Sequence, residues 1–141
     1  MSFASPNSAQ TYANVGIETG VASADPHRLI LMLYDGALLA IATAENAMQQ
    51  GRLLDKAQAI SRAIEIISSG LRASLNFSAA DELASRLAAL YDYMVTRLLH
   101  ANLKNDPAAL KEVSRLLTEI KSAWEEIADD PAVASGNKVA A

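Results

Sequence analysis

The chain has 141 residues, 51% of them hydrophobic, a formal net charge of −4 and no cysteine. That length suits one domain with a core of its own, and the missing cysteines exclude disulfides, thiol nucleophiles and thiolate metal sites. Acidic and basic residues are interspersed, so no basic stripe follows a phosphate backbone, and the first residues lack the positive and apolar regions of a secretory signal.

Residues 1 to about 24 carry Ser, Asn, Thr, Gly and Ala without a sustained period, with Phe3, Tyr12, Val15 and Ile17 scattered among them. They read as a flexible N-terminal arm. Asp25-Pro26 opens the first helix, with Asp25 as N-cap and Pro26 at the first helical position; the helix runs to about Gln50 and stops at Gly51. Its segment Leu29 to Leu38 is unusually apolar. No run of roughly 18 consecutive apolar residues appears, so a transmembrane span is not expected and the chain reads as soluble and cytoplasmic.

The second helix is placed at 54–76, on a seam of Leu53, Ala57, Ile60, Ile64, Ile67, Leu71 and Leu75. The third starts after Ser78, carries Leu83, Leu87, Leu90, Met94, Leu98 and Ala101 on one stripe, and ends near Leu103. Asn105-Asp106-Pro107 repeats the start signal for the fourth, whose seam is Leu110, Val113, Leu117, Ile120, Trp124 and Ile127 before Asp129-Asp130-Pro131 stops it. Residues 131–141 read as a disordered tail. Short connections between helices of about 30 Å predict an all-α, antiparallel up-down-up-down four-helix bundle over residues 25–130.

Two helices have apolar residues to spare. On the first, Leu29, Ile30, Leu33, Ala37, Ala40, Ile41, Ala44 and Met48 make a core stripe, which leaves Leu31, Leu38 and Ala42 on the side of Asp35, flanked by Met32, Tyr34 and Leu39. On the second, the small residues Ala59, Ala63 and Gly70, with Ile66 and Ala73, fall away from the isoleucine seam. These alanines are either good helix formers on a solvated face or the floor of a groove. A groove beside exposed Leu and Tyr is what a partner helix needs, and the same surface would equally serve a weak homodimer. Tyr12 and Ile17 are expected to fold back over it.

Chemistry is sparse. The chain lacks a Glu-x-x-His pair, a Gly-rich phosphate loop and a Gly-x-Ser-x-Gly elbow, so no catalytic residue, metal or cofactor is expected. His100, in His-Ala-Asn-Leu-Lys, is faintly similar to the histidine of phosphotransfer domains, although Lys104 stands one place too far and no glycine follows. Asp92, between Tyr91 and Tyr93, reads as part of a surface polar cluster near Arg86, Arg97 and His100.

Pro26 with Leu29-Ile30-Leu31-Met32-Leu33-Tyr34-Asp35-Gly36-Ala37, then Leu90-Tyr91-Asp92-Tyr93-Met94 with Leu98 and Ala101-Asn102, then Val113, Leu117 and Ala123-Trp124 resemble the flagellar secretion chaperone family FliS. The resemblance runs from about Tyr12 to Trp124. It implies a cytoplasmic, non-enzymatic chaperone that binds the disordered C-terminal segment of flagellin, prevents premature polymerisation and delivers its client to the export-gate protein FlhA. It also implies that the N-terminal segment can lie over part of the binding surface, with Tyr12 matching the family's tyrosine there. Phe77-Ser78-Ala79-Ala80-Asp81-Glu82 departs from the glycine-rich turn common in the family. Together these readings assign partner binding to Tyr12, Ile17, Leu31, Tyr34, Leu38, Ala59, Ala63, Ile66 and Gly70.

Overall fold

A computed structural model describes residues 25–76 and 82–128, which form four helices and no strand. The first, α1, is Pro26–Gln49. Its N-cap is the expected one: the Arg28 N–H donates to Asp25 Oδ1 at 2.8 Å, which satisfies one of the orphan donors of the first turn. It ends where Gly51 takes φ of 72°, a left-handed conformation that glycine adopts without steric cost.

The second helix, α2, corrects the expectation of one regular helix over 54–76. It opens as an α-helix at Leu53–Glu65, widens to a π-helical turn at Ile66–Leu71 and closes with a tight 3₁₀ turn at Arg72–Ser74. At the end of the wide turn the Arg72 N–H donates to the Ile67 carbonyl, five residues back. The third, α3, is Glu82–Lys104, and the fourth, α4, is Pro107–Ala128. Asp106 accepts from the Ala108 N–H at 3.0 Å, so the Asp-Pro signal opens this helix too. The arm with Tyr12 and Ile17, the loop at 77–81 with Ser78, and the tail at 131–141 lie outside the described residues.

Helix α1 packs against α2 and α4, and α3 packs against α2 and α4, so the four close into a ring. Side-chain ties show neighbours running antiparallel. Lys56, near the start of α2, donates to the Asn102 carbonyl at 2.9 Å and to Asn105 Oδ1 at the end of α3. His27, at the start of α1, donates from Nε2 to the Trp124 carbonyl at 2.7 Å near the end of α4, and the two rings meet edge to face. That carbonyl is one of the last four of its helix, which lack intrahelical donors.

The core is aliphatic, built from Ile41, Ile60, Ile67, Leu71, Met94, Leu98, Leu110, Val113 and Leu117. One polar pair crosses it: the Tyr34 and Tyr91 hydroxyls hydrogen-bond at 2.5 Å, joining α1 to α3 through the interior. Burial pushes both phenols above their ordinary range, most strongly Tyr34, so both remain protonated donors and acceptors. Helix α1 holds an 18-residue window of mean hydropathy 1.3 and is long enough to cross a membrane by length and composition. In the bundle that composition serves packing, because Ala37, Ile41 and Ala44 are fully buried on its inner edge while its flanks meet two other helices.

Candidate functional site: a groove between the first two helices

The α2 side of α1 is closed by the chain itself. Gly36 and Leu33 face α2: a Cβ on Gly36 would lie 3.4 Å from Ile66 Cδ1, and one on Gly70 would lie 3.1 Å from Leu33 Cδ2. The small residues of α2 therefore let α1 itself come close. Ala63, Ile66 and Gly70 are buried in this seam, and Tyr34 is wholly buried in the core. The sequence reading put these four on an open partner surface. Ala63, Ile66 and Gly70 are interior because helix pairing within the chain consumes the close approach that small residues permit, and Tyr34 because its hydroxyl reaches Tyr91 across the core.

Leu31 and Leu38 take the other side. With residues 100° apart, they share the α1 flank of Asp35, whose carboxylate pairs with Lys121 of α4 at 2.7 Å. Both are half-buried, and Leu38 packs on the core. Hydrogen bonding to Asp35 raises the Lys121 ammonium above its ordinary range.

On the side of the α1–α2 connection a groove of about 560 Å³ is lined by Gly36, Leu39, Ala40, Thr43 and Ala47 from α1, by Arg52 at the N-cap of α2 and by Asp55, Gln58, Ala59 and Arg62 from α2. Of the described residues predicted to bind a partner, Ala59 alone is in its lining. Leu39 rises from one wall at 69% exposure, and Leu53 and Leu54 follow the connection, also exposed. Arg52 and Asp55 pair at 3.2 Å at one end, so the rim is polar and the walls are mostly small or apolar. The legible signal for these walls was a spacing: Gly36, Ala40, Thr43 and Ala47 recur at 4-3-4 along one edge of α1, and Asp55, Ala59 and Arg62 at 4-3 along α2.

The polar cluster between α3 and α4 is a bracing device. Glu112 accepts from the Tyr93 hydroxyl at 2.5 Å and from Arg97 Nε at 2.7 Å, while His100 Nε2 meets Asp106 at 3.1 Å. The hydrogen bonds from Tyr93, then Arg97, hold the Glu112 carboxyl below the usual carboxylate range. Asp92 pairs instead with Arg72 of α2 at 2.8 Å. Among the described residues no group of His, Asp and Glu is arranged to hold a metal ion.

The sequence comparisons decide what kind of bundle this is. The family model for "Flagellar protein FliS" matches residues 8–131. The chain belongs to the FliS family. It is 48% identical over 118 residues to the flagellar secretion chaperone FliS of Salmonella typhimurium, covering 84% of this chain and 87% of that one. To the Escherichia coli chaperone of the same name it is 47% identical over 83% of this chain and 86% of the other. The Bacillus subtilis chaperone is 37% identical over 77% of this chain and 80% of its own length. FliS proteins are chaperones rather than enzymes, so the phosphotransfer reading of His100 is set aside.

Proposed function

We propose that this FliS chain is a cytoplasmic export chaperone whose α1–α2 groove takes a helix from the disordered C-terminal segment of flagellin, blocks premature polymerisation and presents the loaded client to FlhA. The groove carries the reading: small side chains floor it, Leu39 stands beside it in water, and polar residues close its rim. Family membership supplies the export role and a flagellar client. A disordered client loses about 2–5 kcal/mol on ordering, which only a sizeable apolar contact recovers. Leu39, with the small side chains of Gly36, Ala40, Ala47 and Ala59, offers such contact to a helix laid along the groove. Partner roles for Leu31 and Leu38 place a second stretch of the client on the α4 side of α1. Roles for Ala63, Ile66 and Gly70 are to shape the α1–α2 seam beside the groove, Tyr34 holds α1 to α3 beneath it, and Tyr12 and Ile17 are proposed to shield it.

Calorimetry checks this directly. A peptide of the cognate flagellin C-terminus is expected to bind while the N-terminal region does not, and Leu39→Asp is expected to weaken binding about tenfold or more, ~1.4 kcal/mol, with the fold retained. Absence of heat and of competition with full-length flagellin refutes the client. Light scattering tests the rival use of the surface, since a concentration-independent dimer points to self-association.

A further inference from the structure

The wide turn of α2 sits at a mismatch that helix geometry makes explicit. Lys56 and Arg72 are both held by α3, Lys56 through Asn102 and Asn105 and Arg72 through Asp92. The sixteen steps between them would turn a regular α-helix through about 1600°, leaving Arg72 roughly 160° from Lys56 and pointing away from α3. A turn closed by a bond to the fifth residue absorbs one extra residue, about 100° of rotation, and brings Arg72 back. Leu75 follows in extended backbone and packs on the core. The strand of contacts then tightens at once: Leu75 N–H donates to the Arg72 carbonyl and the Ser74 hydroxyl to the Leu71 carbonyl.

The wide turn touches the groove through one neighbour. Ile66, the first residue of the wide turn, faces Gly36, which lines the groove, and Gly70, within the turn, is covered by Leu33. We propose that the Ile66–Leu71 turn is a one-residue switch in α2, the place where the helix opens locally in the unloaded chaperone, and that a client helix in the α1–α2 groove suppresses this opening. The coupling rests on the client reading above; the surplus residue does not. A ligand that binds only the closed seam stabilises it by mass action, and opening the turn withdraws Ile66 from beside Gly36, one of the residues that line the groove.

Hydrogen exchange on the full chain tests it. Amides of residues 67–72 are expected to exchange at least about tenfold faster than those of 57–63 on the same helix, and to slow about tenfold or more when a saturating flagellin C-terminal peptide is added. Deleting Ser69 is expected to give a regular helix with Arg72 and Leu75 facing as before: the chain stays folded with an unfolding temperature no lower, and the fast exchange disappears. Equal protection along α2, or a turn whose exchange ignores a peptide that calorimetry shows to be bound, overturns the proposal. A Ser69 deletion that unfolds the chain, while a deletion of Ser61 in the regular part does not, overturns it as well. A peptide that gives no binding heat counts against the client; the exchange contrast and the deletion still decide whether the turn is a switch.

Discussion

Gly36 stands at the junction of fold and function, and its substitution separates the two. A Cβ there would reach Ile66 Cδ1 at 3.4 Å, an ordinary contact, so Gly36→Ala is expected to stabilise the chain by about 0.5–1 kcal/mol through reduced backbone entropy. Urea unfolding measures the gain. Gly70→Ala should show little or no gain, because its Cβ would meet two Leu33 carbons at 3.1 and 3.2 Å and Leu33 would have to move. Single residues were also where sequence reading was weakest. Ala59 and Ala63 share a stripe on the helical wheel, yet Ala59 lines the groove and Ala63 is fully buried. The wheel gives a direction from the axis; it does not say where a neighbouring helix diverges.

Between elements, the interior bond of Tyr34 to Tyr91 ties two helices that are not ring neighbours. Tyr34→Phe leaves the buried Tyr91 hydroxyl without its partner and is expected to cost about 1–2 kcal/mol, while Tyr91→Phe leaves Tyr34 its side-chain hydrogen bond with Trp124 and is expected to cost less. The double change should cost less than the sum by about 1 kcal/mol, which a double-mutant cycle in urea reads directly. The elements themselves were largely legible. Asp25-Pro26, Gly51 and Asp106-Pro107 act through local backbone chemistry, and the structure places helix ends beside each of them. The wide turn was not legible, because the seam Ile60, Ile64, Ile67 and Leu71 keeps helical spacing straight through it, while Lys56 and Arg72 are held at two points of another helix.

At the level of the whole molecule, stability should depend asymmetrically on pH. Tyr34 and Tyr91 are raised above the ordinary tyrosine value of 10.0 by burial. The folded state therefore holds these protons where the unfolded chain releases them, so their contribution is complete below about pH 10 and is lost as pH rises beyond it. Urea midpoints are expected to fall between pH 9 and pH 11, and to fall less steeply in the Tyr34→Phe, Tyr91→Phe double variant. The sequence by itself determined the all-α class, the number of helices among the described residues, most of their ends and the family, because periodicity, caps and motif spacing are properties of contiguous residues. The tertiary structure alone decided what covers the apolar surplus of α1. Leu33 over Gly70 and Ile66 against Gly36 close the α2 side of α1, Leu31 and Leu38 are half-buried on the side of Asp35 and Lys121, and Leu39 stays exposed beside the groove. Spacing along a chain fixes which residues share a face, but the distance between two helix axes is set by every side chain packed between them.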